Sequence, residues 1–316
     1  MRVEISVAAL RPHLTLPVAT IGNFDGVHRG HQAILTRLLE RRRALGGQAL
    51  VITFDPHPLR VIAPERAPRM ISTPRQKRAL LAAAGVDAML VLRFDAAFAA
   101  VRAADFVSDY LARGLGVREV HVGANFNFGR GREGDTSALI ARCAEQGIAA
   151  AVVDEVRCLD SAVSSSRIRR AILAGEVELG RELLGRPFAI EGTVTHGAGR
   201  GAALGVRTAN VATGNELLPQ DGVYVTEAVL DGAISPSVTN VGTRPTFDDQ
   251  DFAVETHLLE GGADLYDRPI EVRFLTRLRP ELRFDSPEAL VAQIRRDIER
   301  TRAYFREREG SGGGVG

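Results

Sequence analysis

Lysine is almost missing from this chain. Among 40 Lys and Arg residues only Lys77 is a lysine, which reads as coding bias. The shortage has a chemical consequence. No Gly-Lys-Ser/Thr step exists, so a Walker A phosphate loop is excluded and any phosphate chemistry needs another scaffold. Cysteine is scarce as well: Cys143 and Cys158 form no CxxC pair. Two thiols in so long a chain suggest a reducing compartment. No run approaches the roughly 18–20 apolar residues of a membrane span. The N-terminal MRVEISVAALRPHL lacks a signal-peptide core, so a cytoplasmic protein is expected. Charge of one sign is lacking too. With 40 basic and 39 acidic side chains the net charge is +1. No bulk electrostatic reason points to nucleic acid or an anionic membrane as partner.

The 316 residues, 45 % of them hydrophobic, suit about two ordinary globular domains. In the first half short apolar runs alternate with helical patterns. Strands are expected at Pro17–Gly22, Gln48–Phe54, Ala88–Leu92, Glu119–Gly123 and Ile148–Val153. Between the first two, Ile34, Leu35, Leu38, Leu39 and Leu45 share one helical face, and Arg37, Glu40, Arg41, Arg42 and Arg43 fill the other. This alternation predicts a doubly wound parallel α/β sheet, whose ligands bind beyond the carboxyl ends of the strands. A helical stretch from Ser164 to about Leu184 closes this half. From Phe188 onward short β-type runs are broken by Gly, Asn, Asp and Pro, the pattern of an antiparallel sheet or small barrel. A terminal amphipathic helix follows, capped by Asp285 or Ser286 with Pro287 in its first turn. The expected domains are 1–184 and 185–307, divided near Gly185-Arg186-Pro187, with a Gly-rich tail at 308–316.

The most specific segment is Gly22-Asn23-Phe24-Asp25-Gly26-Val27-His28-Arg29-Gly30-His31, between a strand and a helix. Glycines admit close backbone approach, and the helix start offers free N–H groups to phosphate. His28 and His31, three apart, share a face and can stabilise charge at an attacked α-phosphorus. A surface helix carrying two histidines by chance is the plain alternative. A zinc pair is another, without an obvious third ligand. Asp25 sits close to this loop and has turn geometry as its plainer role.

The full GNFDGVHxGH string resembles the HxGH signature of the adenylyltransferase superfamily, and more narrowly the bacterial bifunctional riboflavin kinase/FAD synthetases. Further segments resemble that family in order. They are Thr53-Phe54-Asp55-Pro56-His57-Pro58, Val122-Gly123-Ala124-Asn125-Phe126-Asn127-Phe128-Gly129 and Val163-Ser164-Ser165-Ser166-Arg167-Ile168-Arg169. The resemblance implies ATP and phosphate binding by Gly22, Asn23, Phe24, Asp25, Gly30, Ser164, Ser165, Ser166 and Arg169. It implies FMN binding by Pro56, His57, Pro58 and Asn125, and catalytic roles for His28 and His31. Helix capping by the serines, loop stiffening by the Pro-His-Pro turn and a turn role for Asn125 are the plainer readings of those residues taken singly.

The second half resembles the riboflavin kinase module of the same family. Its Gly-rich segment runs through Gly197, Gly199 and Gly201, and Leu204-Gly205-Val206-Arg207-Thr208-Ala209-Asn210 is similar to the family's LGFPTAN. Arg207 replaces the family's Pro and Val206 a larger apolar residue. The resemblance implies that Thr208 and Asn210 hold Mg²⁺, that Gly201, Gly205 and Asn240 line the ATP and riboflavin site, and that Glu255 is the base for the ribityl hydroxyl. Oxygen ligands suit Mg²⁺ and a carboxylate suits that base. Leu265-Tyr266-Asp267 departs from the family's LYG, and His257 reads as structural. The expected function is therefore two-step: riboflavin to FMN, then FMN to FAD and pyrophosphate, with ATP as co-substrate, Mg²⁺ as metal, small molecules as substrates and neither nucleic acid nor membrane as partner. Three rivals stay open: an FAD synthetase with a kinase module impaired at Arg207, a non-catalytic flavin-binding module, and an HxGH transferase with another acceptor.

Overall fold

A computed structural model describes residues 1–196, 208–245, 250–260 and 265–312. The chain divides into two compact units, Met1–Met70 with Pro74–Ser165 and Ile71–Thr73 with Ser166–Gly316.

The first unit holds a parallel sheet of β1 (Arg2–Glu4), β2 (Pro17–Ile21), β3 (Gln48–Asp55), β4 (Ala88–Arg93), β5 (Glu119–Gly123) and β6 (Ala149–Val153), in the order β1-β4-β3-β2-β5-β6. Side-chain alternation splits its core into two. Ala19, Ile21, Leu50, Ile52, Leu90, Val120 and Val122 face one way, packed by Phe106, Leu111 and Leu139 of the helices there. Val18, Ala49, Val51 and Met89 face the other, against Leu35 and Leu38 of the Arg29–Leu45 helix and Leu81 of the Pro74–Ala83 helix. Both faces are apolar because helices cover both, as a doubly wound sheet requires. Strand order reverses between β2 and β5, so the crevice for a ligand opens at their carboxyl ends.

The five expected strands are present with ends shifted by a residue or so: β2 stops at Ile21, β3 runs on to Asp55, β4 to Arg93, and β6 begins at Ala149. β1 is an addition. Its three residues, Arg2-Val3-Glu4, are too short for a two-residue period to register, and they are held by pairing with β4 at the sheet edge. A short hairpin, β7 (Arg157–Cys158) with β8 (Ser161–Ala162), follows β6. The single helical stretch expected from Ser164 is two helices, Ser165–Leu173 and Val177–Leu184. They part at Gly175, whose φ of +77° breaks the run.

In the second unit β9 (Phe188–Thr195), β10 (Ala209–Thr213), β11 (Gly222–Leu230), β12 (Ala233–Pro245), β13 (Gln250–Leu258) and β14 (Pro269–Arg279) close an antiparallel barrel in the order β10-β13-β12-β11-β14-β9. Closure leaves no open edge to pair with another chain. Its interior includes a chain of buried hydroxyls, Thr226 to Ser237 and Thr239, and Thr239 to Thr256. The Pro287–Gly312 helix ends the fold. Ser286 caps it, its Oγ accepting from the Ala289 N–H, and Arg279 of β14 pairs with its nearly enclosed Asp297.

Candidate active sites

In the first unit the motif segment runs directly off the end of β2, where the reversal of strand order places a ligand. His28 is not inside the following helix but is its N-cap. Its Nδ1 accepts from the His31 backbone N–H at 3.4 Å. The two rings stack, centroids 3.7 Å apart and 17° from parallel. Gly30 makes this possible: a Cβ there would lie 3.2 Å from His28 Cε1 and Nδ1. Phe24 is buried in the core with its ring 4.9 Å from that of His31, so it supports His31 and leaves only backbone for a ligand. His31 Nδ1 is shut off from solvent and has no hydrogen-bond partner among the described residues. Burial, the neighbouring His28 ring and Lys77 hold the His31 pKa well below the ordinary value, so its ring stays neutral at neutral pH.

The loop itself is conformationally unusual. Phe24 (φ +48°), Gly26 (+78°) and Val27 (+38°) are left-handed. For a β-branched Val this is a strained geometry that only a tightly packed surround maintains. Asp25, between them, is 1 % exposed. Ser165 Oγ donates to the Asp25 carbonyl at 3.1 Å, which brings the serine motif onto the loop. Ser164 precedes it, and Ser166 and Arg169 lie on the Ser165–Leu173 helix.

β3 and β5 flank β2, so the segments leaving them border this loop on both sides. After β3 comes Pro56-His57-Pro58. His57 caps the Pro58–Ile62 helix, its Nδ1 accepting from the Leu59 N–H at 3.2 Å, while its Nε2 is 3.1 Å from the Asn23 side-chain amide. Thr53 Oγ1 donates to the Asn23 carbonyl. Beyond β5 stands Asn125, exposed, with its amide donating to Glu155 at 3.1 Å. Gly22, Asn23, Asp25, His28, Gly30, His31, His57 and Ser165 are thus brought together. Sequence reasoning missed Lys77. It lies buried on the Pro74–Ala83 helix within electrostatic reach of Asp25, Asp55 and His31. Its signal was its rarity in an arginine-rich chain.

The barrel gathers the second set. Asn210 on β10 and Asn240 on β12 both pair in register with Glu255 on the intervening β13. The three therefore stand side by side on one face of the sheet, with Thr208 two positions before Asn210. The neighbouring Thr239 and Thr256 face the buried interior instead. Glu281, missed from the sequence, also reaches this region. Its Oε1 is 3.0 Å from where a Cβ on Gly242 would sit, and Asn240 Nδ2 is 3.6 Å from the same point. Gly201, Gly205 and Arg207 lie outside the described residues. Asp267 takes a left-handed φ of +60°, which explains how Asp replaces the glycine of LYG: Asp tolerates that region better than most residues. Among the described residues no three His, Cys, Asp or Glu side chains cluster as a metal cage. The hard oxygen donors of Thr208 and Asn210 suit Mg²⁺, which takes few protein ligands and keeps water and phosphate oxygens.

Each gathered set of residues falls within a stretch of the chain that a family model matches. The FAD synthetase family model matches residues 11–167 and the riboflavin kinase model residues 184–305. A bifunctional riboflavin kinase/FMN adenylyltransferase of Pseudomonas fluorescens is 43 % identical over 93 % of this chain and 94 % of its own length. The chain belongs to the bifunctional riboflavin kinase/FMN adenylyltransferase family. A second member, from Escherichia coli (strain K12), is 41 % identical over 91 % of this chain and 92 % of its own. The crystal structure of a macrolide-efflux protein from Streptococcus pneumoniae superposes on this family member with a TM-score of 0.87. It is 28 % identical and is matched over 96 % of this chain and 99 % of that one. No helix among the described residues of this chain is long and apolar enough to cross a membrane.

Proposed function

We propose that this family member makes FMN and then FAD with two separate sites, and that it works in the cytoplasm. The observation that carries the reading is the coincidence of two constellations with two family matches. The stacked His28–His31 pair lies at the sheet's switch point, in the FAD synthetase match, and the Asn210–Glu255–Asn240 row lies in the riboflavin kinase match.

In the barrel, the ribityl 5′-hydroxyl of riboflavin attacks the γ-phosphorus of ATP. Glu255 takes the hydroxyl proton, the bond to the β-phosphate oxygen breaks, and ADP leaves. Thr208 and Asn210 would hold Mg²⁺, which would offset phosphate charge when bound, and Asn240, Gly201 and Gly205 are the residues proposed to bind the nucleotide and flavin. In the α/β domain, an FMN phosphate oxygen attacks the α-phosphorus of a second ATP and pyrophosphate leaves. His28 has its Nδ1 occupied as an acceptor, so its neutral ring carries a proton on Nε2 that can be donated to a phosphate oxygen. Such a donor stabilises charge in the transition state without a covalent intermediate. Backbone of Gly22, Asn23, Phe24 and Asp25, close approach at Gly30 and the Ser164, Ser165, Ser166 and Arg169 set bind the ATP phosphates. Pro56, His57, Pro58 and Asn125 border FMN. The domains carrying the two steps are 1–184 and 185–307.

Two variants separate the steps. His28→Ala should slow FMN adenylylation by about 10²-fold or more and leave riboflavin phosphorylation intact. Glu255→Gln should abolish phosphorylation and leave adenylylation intact. Loss of both activities in either variant would contradict two independent sites.

A further inference from the structure

Asn23 and His57 meet in a way that only one arrangement of protons and amide satisfies. Pro58 opens the Pro58–Ile62 helix and has no N–H, so the Leu59 N–H is the first free donor of that turn. His57 Nδ1 accepts it at 3.2 Å. A ring nitrogen that accepts keeps its lone pair, so the proton of the neutral imidazole sits on Nε2. Nε2 is therefore a donor, and the Asn23 amide nitrogen stands 3.1 Å from it. Two donors would meet there. Half a rotation of the amide puts Oδ1 in that place as acceptor, and the two ends of an amide are nearly alike in shape. Hydrogen bonding thus sets Oδ1 toward His57 and turns the N–H pair away from the ring. The backbone of this segment is already anchored. The buried Thr53 Oγ1 donates to the Asn23 carbonyl at 3.3 Å, and the Gly22 N–H donates to the Ile52 carbonyl at 3.0 Å. Both anchors belong to β3, the strand that His57 follows. The end of the amide away from His57 meets no protein partner among the described residues. It stands just past β2, where the ligand crevice opens.

We propose that His57 is a positioning residue of the adenylyl-transfer site: its cap on the Pro58–Ile62 helix locks the ring with the proton on Nε2, and the ring turns Asn23 so that the amide N–H pair is held toward a phosphate oxygen of the nucleotide. The inference rests on reading that site as an FMN adenylyltransferase. It gives His57 a task beside bordering FMN, performed through Asn23 and without contact with ATP. An N–H pair suits phosphate, whose oxygens only accept, whereas the opposite orientation would aim a carbonyl oxygen at negative charge. Released from His57, the amide has two orientations and about three χ1 wells, so the competent one falls to roughly a sixth of the population. That loss weakens nucleotide binding and leaves the chemical step alone.

The proton's place is read directly by nitrogen resonances of the full chain carrying ¹⁵N-labelled histidine. The His57 signals are those lost in His57→Asn. At neutral pH its Nε2 should be protonated and its Nδ1 not, and Asn23→Ala should shift the Nε2 signal, which loses its acceptor. Asparagine at 57 keeps an acceptor for the Leu59 N–H but has no Nε2–H. His57→Asn should raise the KM for ATP in FAD formation from FMN about 5-fold, with kcat within about 2-fold of wild type. Asn23→Ala should raise that KM about 10-fold, as for loss of one hydrogen bond to a charged acceptor. The double variant His57→Asn/Asn23→Ala should be no worse than Asn23→Ala alone, as for residues acting in series. Circular dichroism reports that each variant is folded. A proton on Nδ1, or an Nε2 signal indifferent to Asn23→Ala, would overturn the proposal. So would an unchanged KM for ATP in folded His57→Asn, or losses that multiply in the double variant. A rise in the KM for FMN alone would overturn it too, and would make His57 a ligand of the flavin substrate instead. Should wild-type protein make no FAD from FMN, the enzymatic reading fails, while the resonances still decide whether His57 orients Asn23.

Discussion

One missing side chain sets the geometry of the His28–His31 pair. Gly30 leaves the space that the His28 ring fills as it folds back over the helix start, and the ring then stacks on His31. A methyl group at 30 would sit tighter against that ring than ordinary contact allows. Gly30→Ala should therefore tilt His28 by a few tenths of an ångström. We expect roughly a 10-fold lower kcat for FMN adenylylation and less than about 1 kcal/mol of lost stability. Steady-state kinetics with parallel urea unfolding checks both, and an unchanged kcat would show that the stacking is dispensable. The importance of this glycine was legible in the sequence only as spacing. The string GNFDGVHRGH pointed to a phosphate site, but a one-dimensional reading placed both histidines on a helix face. His28 as cap was hidden because capping depends on where the backbone turns. Lys77 was hidden because the acidic groups within its electrostatic reach, Asp25 and Asp55, lie far away in sequence.

At the scale of elements, the Arg29–Leu45 helix must be fixed against the sheet if its N-terminus is to hold two imidazoles in register. Arg41 does this about three turns from the start of that helix. Its guanidinium donates to both oxygens of Glu119 on β5, at 2.8 and 2.6 Å, and Glu119 also meets the buried His121 at 3.1 Å. The Arg41 hydrogen bond is the main cause that lowers the Glu119 pKa from 4.5 to about 2. Because the folded-state value is depressed, the contribution is full above the unfolded value and is lost as pH falls through the folded one. Glu119→Gln should therefore cost on the order of 2 kcal/mol at pH 7. The gap from wild type should close between about pH 4.5 and pH 2, in the window its pKa shift defines. Urea unfolding across that range tests this, and a gap that persists at the acid end would show that the pair is not its source. Regular periodicity made most elements readable in advance. The Phe106–Leu115 helix, wound as a π-helix, lacks the ordinary period and was not expected. β10 was read as motif and not as strand, since its five residues, Ala209–Thr213, are ordered by pairing with β9 and β13.

At the scale of the whole molecule, two phosphate-transfer sites without a Walker A loop lie in one chain. In the proposed reading one lies at the carboxyl edge of a parallel sheet and the other on the wall of a closed barrel. The class of both folds was readable from alternation and turn composition. The antiparallel barrel was expected too, while the register that closes it, β9 pairing with β10 and β14, is one no local pattern encodes. The product of the barrel site is the substrate of the sheet site, so the central claim is one of sequence: riboflavin in, FAD out. The most direct measurement gives purified protein ATP and Mg²⁺ with riboflavin in one reaction and FMN in another, and separates the flavins by chromatography. The account predicts FMN followed by FAD from riboflavin, and FAD with pyrophosphate from FMN. Conversion of FMN alone, with riboflavin untouched, would contradict it.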